Sequence, residues 1–93
     1  MAVYCITFEM NYNIKHYNNL FNAIKGYGTW YNQNKNVWFV VGDDNNNTAV
    51  SIRDYLYQYM YKNDKLFVIK IADIWAGTGY KQDEYDWLKQ YVG

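Results

Sequence analysis

The residues able to do chemistry in this chain of 93 are few and scattered. Glu9 ends an apolar run, and Asp43 and Asp44 follow another; carboxylates at strand ends are ligands for Mg²⁺ or Mn²⁺ and can help activate water. Gly-Asp-Asp-Asn is equally ordinary turn chemistry, with Asp and Asn bonding their own backbone, and that reading is preferred for Asp43 and Asp44. Asp73, just past the last apolar run, is in a similar position. Arg53, the only arginine, stands beside Asp54; it could clamp a phosphate, but a structural ion pair is the simpler reading. His16 is the only histidine, and its neighbours Lys15 and Tyr17 supply neither nucleophile nor orienting acid. Cys5, the only cysteine, lies within an apolar run, so no disulfide framework or zinc ligand set can be built inside the chain.

The aromatic residues are the most unusual feature. Twelve tyrosines and four tryptophans are present, and Tyr27, Trp30, Tyr31, Trp38, Trp75 and Tyr80 flank expected loops. There the rings could stack on bases or anchor a protein interface. Trp30, Tyr31, Trp38, Arg53, Trp75 and Tyr80 are the candidate binding residues.

The elements that must carry these groups follow from periodicity. Residues 2–9 are β-branched and aromatic without helical period and read as a buried strand. Tyr17, Leu20, Phe21 and Ile24 form a helical stripe over 14–25, with Asn13 as N-cap and Gly26 as the C′ residue, a position that is commonly left-handed. Residues 29–31 and 37–41 read as antiparallel strands around a polar loop 32–36. Ala49, Ile52, Leu56, Tyr59 and Met60 predict a helix over 48–61, capped by Asn47 or Thr48 and stopped at Asn63-Asp64. Residues 66–71 form a last strand, and Tyr85, Leu88 and Val92 share one face of a short terminal helix. The order β-α-β-β-α-β plus one helix predicts one α+β domain over 1–93. It is the ferredoxin-like arrangement, an antiparallel four-stranded sheet with two helices on one face. The opposite face then has to be covered by the terminal helix, a second subunit or a ligand.

Composition narrows the function. Nine basic and nine acidic side chains give zero formal charge, whereas a protein built to grip a phosphate backbone usually carries a basic excess. A protein partner is therefore favoured over nucleic acid. The short length makes a homodimer a plausible second source of stability. No apolar stretch approaches a membrane span and no leader pattern is visible, so a cytoplasmic location away from membranes is expected. The absence of proline and the abundance of Asn, Tyr and Lys fit an AT-rich bacterial, phage or mobile-element genome.

Four segments carry a family resemblance: Tyr-Cys-Ile-Thr-Phe-Glu9-Met-Asn, Val-Trp38-Phe-Val, Ser51-Ile-Arg53-Asp54-Tyr-Leu56 and Asn63-Asp64-Lys-Leu-Phe-Val-Ile. Together they resemble the small SinR-like proteins, often grouped with the second of the CRISPR-associated adaptation proteins and, more distantly, with the virulence-associated protein D ribonucleases. The resemblance implies a ferredoxin-like homodimer with an acidic residue near the dimer axis, where paired carboxylates can hold a divalent metal. The matching position is Glu9, one methylene longer than the aspartate of the family pattern. Two expectations follow. One is a non-catalytic binding protein acting in defence or counter-defence, for example as an inhibitor of a CRISPR nuclease, with no cofactor. The other is a metal-dependent ribonuclease or deoxyribonuclease using Glu9, with Mg²⁺ or Mn²⁺.

Overall fold

The computed structural model describes residues 2–72 and 74–92. Strands β1 (Ala2–Glu9), β2 (Trp30–Asn34), β3 (Val37–Gly42) and β4 (Lys65–Lys70) form one antiparallel open sheet in the order β2-β3-β1-β4. Helices α1 (Asn18–Lys25) and α2 (Ala49–Tyr57) connect the strands, and α3 (Gln82–Tyr91) follows β4. The first predicted helix is divided, a 3-10 turn over Ile14–Tyr17 preceding α1, with the Asn13 side chain accepting from Lys15 N.

Strict alternation assigns each strand residue to one of two faces. Ala2, Tyr4, Ile6 and Phe8 of β1, with Trp38 and Val40 of β3, meet Leu20, Ala23 and Ile24 of α1 and Ile52 and Leu56 of α2 in the main core. Gly42 permits the close approach at one end of this layer, since a Cβ there would lie 2.8 Å from the Tyr4 ring. The predicted cap of α2 is Thr48: its Oγ1 accepts from Ser51 N while Ser51 Oγ accepts from Thr48 N, a reciprocal capping box.

The other face is covered over one half. The row Tyr31, Phe39, Cys5, Ile69 runs straight across the four strands. Tyr31 and Phe39 lie under Trp87 of α3, and Val3, Phe39 and Leu88 form a second small core. Toward β4 the cover ends: Ile69 is 48% and Phe67 64% exposed. Helix α3 thus covers β2, β3 and the start of β1, and leaves the β4 side, with Phe67 and Ile69, open.

Three boundaries differ from the sequence expectation. Asn32 to Asn34 belong to β2, not to the hairpin loop, because an edge strand can pair its backbone while its side chains stay polar; a bulge accommodates them between Asn32 and Asn34. Gly26 is not left-handed (φ −63°); the left-handed glycine is Gly28, at φ 94°. Helix α2 ends at Tyr57, and the turn before β4 is made by Asn63 at φ 74°, a conformation Asn tolerates better than most residues.

One buried carboxylate ties the ends of these elements together. Asp64 accepts from Asn11 N (2.9 Å), Asn11 Nδ2 (3.0 Å), Tyr61 N (2.9 Å) and the fully buried Tyr17 hydroxyl (2.9 Å). Tyr17 in turn accepts from Asn11 N and Tyr12 N. Burial pushes the Asp64 carboxyl upward, but these donors outweigh it and hold the group below its ordinary value of 3.8. A carboxyl with a depressed folded pKa stabilises fully above 3.8, and that contribution is lost as pH falls through the folded value. Replacing Asp64 with Ala deprives the buried Tyr17 hydroxyl and three part-buried donors of their common acceptor and is expected to cost about 3 kcal/mol. Urea unfolding of Asp64→Ala beside the native protein measures this, and a loss near zero removes Asp64 from its structural role.

Candidate functional site

The segment after β4 turns back under the sheet and brings aromatic residues to the rim of α3. Trp75 lies parallel to Tyr85, ring centroids 6.2 Å apart and planes 7° from parallel. Gly77 sits against the Tyr85 ring, where a Cβ would approach to 3.1 Å, and Tyr80 N donates to the Tyr85 hydroxyl at 3.2 Å. Gly79, at φ 83°, makes the turn that places Tyr80 before the helix. Tyr31 approaches from β2, its phenol pushed up by burial and then by hydrogen bonding to Asp83.

Two adjoining hollows result. One, about 330 Å³, lies between Tyr31, Asn32 and Gln33 of β2 and Tyr80, Lys81, Asp83 and Glu84. The other, about 240 Å³, lies between Phe39, Trp75, Tyr80, Tyr85 and Leu88, and shares Gln33, Tyr80 and Glu84 with the first. Glu84 stands where they meet. It is only 5% exposed, and burial followed by the charge of Asp83 pushes its carboxyl above the ordinary 4.5. Among the described residues, its hydrogen bonds outside the helix ladder are made by its amide, to Lys81 O and Asp83 Oδ1.

The predicted binding residues divide between this cleft and other places. Tyr31, Trp75 and Tyr80 are brought together. Trp38 is corrected to a core residue: at 4% exposure it packs beside Phe21 and Trp30, because its parity on β3 points it toward the helices. Trp30 lies on that same face at the sheet edge, with Lys25 Nζ 5.2 Å from its ring centroid. Arg53 donates through Nε and Nη2 to Asp54 Oδ1 at 3.0 and 2.9 Å, an exposed pair on α2 that contributes little to stability.

The candidate metal ligands Glu9 and Asp43 are not brought together within the chain. Gly42 pairs with Ala2 at the opposite end of β1 from Glu9, seven residue steps or roughly 23 Å away. Glu9 pairs with Lys65 (3.5 Å), both side chains well exposed. Asp43 accepts from Asn45 N at 2.9 Å and Asn46 Nδ2 at 2.7 Å, bonds that hold its carboxyl below the usual range; it serves a turn. Asp73 lies outside the described residues. No three of His, Cys, Asp and Glu gather in metal-binding positions among the described residues. His16 is exposed, edge-on to Tyr12, and burial pushes the Cys5 thiol up, away from reactive thiolate. No helix among the described residues is long and apolar enough to cross a membrane.

Sequence reasoning missed Glu84 and Asp64. For Glu84 the signal was present: it precedes Leu88 by four residues, so a carboxylate stands in the buried stripe of α3. Asp64 looked like turn chemistry alone. Comparison with known proteins finds no family model that matches the chain and no matching curated protein.

Because Glu84 holds its proton more tightly folded than unfolded, its contribution to stability is complete below 4.5 and declines as pH rises through the folded value. Asp83, Lys81, Tyr31, Tyr80 and Tyr85 are the ionisable groups that line the hollows with it. Melting curves across mildly acidic to neutral pH should show Glu84→Gln with a flatter pH dependence and a higher melting temperature at neutrality. Identical slopes in the two proteins would contradict the assignment.

Proposed function

We propose that this chain is a small non-catalytic binding protein of ferredoxin-like architecture that grips a protein partner through the aromatic cleft between β2 and α3. The architecture is supported by the β-α-β-β-α-β order and by a sheet in which β1 lies between β3 and β4. The observation that carries the binding reading is the gathering of Tyr31, Trp75, Tyr80 and Tyr85 around an open cleft; Tyr and Trp are enriched among residues that dominate protein interfaces. Asp83 and Glu84 at the same cleft disfavour a phosphate backbone, as does the absence of net positive charge.

The protein works as a homodimer in this reading. The uncovered half-face, with Phe67, Ile69 and half-buried Cys5, and the unpaired edge of β4 supply apolar surface for a second copy. A role in defence or counter-defence, such as inhibiting a CRISPR nuclease, rests on the family resemblance and on a composition suited to a phage or mobile element. A second reading, a metal-dependent ribonuclease or deoxyribonuclease, is favoured by one observation: Glu9 stands exposed in a hollow with Thr7, Lys65 and Phe67, at the rim of that half-face. A dimer built across the face would draw two such carboxylates toward one Mg²⁺ or Mn²⁺.

Co-purification of the tagged chain with purified CRISPR nuclease complexes tests the binding reading: Trp75→Ala should lose a partner that the native protein retains, and no capture across several complexes would overturn that role. Native mass should be that of a dimer and fall to a monomer in Phe67→Lys/Ile69→Lys. Cleavage of labelled RNA and DNA with Mg²⁺ or Mn²⁺, present in the native protein and absent in Glu9→Gln, would replace the binding reading with the nuclease.

A further inference from the structure

The cleft between β2 and α3 carries more than aromatic surface. A carboxylate buried without a partner pays a desolvation cost that a charged hydrogen-bond donor would offset. Glu84 is in that position: 95% buried by its 5% exposure, flanked by both hollows and reached by no hydrogen bond from another side chain among the described residues. The charge beside it, Asp83, has the same sign and so attracts the same kind of ligand; Lys81 is the one cation at the rim. The walls are the rings of Trp75, Tyr80 and Tyr85, whose faces attract cations.

Size and shape narrow the class. Hollows of about 330 and 240 Å³ are at or below the lower end of those that hold drug-sized molecules, and suit a single long side chain. A guanidinium is planar, stacks on aromatic rings and bonds a carboxylate through two parallel N–H groups, whereas an ammonium is a strongly hydrated point charge. The chain's own arginine, Arg53, is engaged with Asp54 on α2, on the other side of the sheet from α3. The guanidinium therefore comes from another molecule.

We infer that this cleft receives an arginine side chain of a protein partner, with Glu84 as the buried anion that pairs with its guanidinium and Trp75, Tyr80 and Tyr85 as the walls that stack on it. This deepens the binding-protein reading and rests on it. Tyr31 and the half-buried carboxamides Asn32 and Gln33 of β2 stand beside the mouth, where the polypeptide carrying the arginine would pass.

The probe is N-acetyl-arginine amide, titrated into the isotopically labelled native protein and followed by NMR. The Trp75 indole N–H and the amides of Gly77, Gly79 and Glu84 should shift together and saturate, with affinity in roughly the millimolar range for so small a ligand. N-acetyl-citrulline amide, isosteric and neutral, should bind at least about tenfold more weakly, and Glu84→Gln should lose the preference for arginine. Trp75→Leu, which keeps the carboxylate and removes a wall, should weaken binding while Glu84 still discriminates charge. Equal binding of arginine and citrulline, equal binding of N-acetyl-lysine amide, shifts outside the cleft, or no shift at all would each overturn the assignment. A partner lost in Trp75→Ala but kept in Glu84→Gln leaves the binding reading standing and removes this one. Saturable, Glu84-dependent arginine binding with no capture by CRISPR nuclease complexes keeps this assignment and removes only the CRISPR role.

Discussion

The fold depends on a single buried carboxylate at the end of its sheet. Asp64 gathers donors from the exit of β1, from the 3-10 turn and from the turn that ends α2, three pieces of chain that share no regular hydrogen-bond ladder. The Tyr17 hydroxyl would be costly to leave unpaired in the interior, and it shares its acceptor with the part-buried donors of Asn11 and Tyr61. Directly beyond it lies the pairing of Glu9 with Lys65, so the position of Asp64 also sets where β4 begins against β1. A one-residue slip there would turn Leu66 and Val68 out of the main core and Phe67 into it.

That register decides the two faces of the sheet. The face toward α1 and α2 is filled at its centre, with Ile6, Val40, Ile52 and Leu56 inaccessible to solvent. The opposite face is filled only as far as α3 reaches. Aromatic residues divide accordingly: Trp38 and Phe21 serve the interior, Trp87 bridges helix and sheet, and Trp75, Tyr80 and Tyr85 are left around a cleft because the connection after β4 curls beneath the sheet before the helix starts. A high aromatic content is therefore not one signal but two, and only position in the fold separates them.

Much of the architecture was legible in the residues. The unbroken β-branched run of β1, the Leu20–Ile24 and Ile52–Leu56 stripes and the Thr48 cap each answer to a local rule, and the elements they predict are present. What escaped depends on distant partners. Asn32, Gln33 and Asn34 have the composition of a loop and are held as a strand by the backbone of β3. Gly26 and Gly28 are both plausible left-handed residues, and the way the chain leaves α1 for β2 selects the second. Asp64 and Glu84 are acidic residues at element ends, where exposure is the ordinary outcome; their burial comes from what folds over them. The cleft was partly legible through Trp75, Tyr80 and Tyr31, while the carboxylate at its floor was not.

The placement of β1 has a consequence for how the chain is made. Of the four strands β1 is synthesised first, yet it is an interior strand of the finished sheet, and both its neighbours, β3 and β4, are made later. Only the β2–β3 hairpin joins strands adjacent in sequence. The hairpin can form early, but the sheet cannot close until β4 has emerged, and such reliance on non-local pairing slows folding. Until then β1, with its apolar run, is a strand without partners and is exposed to wrong ones. Helix α3 is made after all four strands and docks on a surface that already exists, so the cleft it completes takes shape only after the sheet.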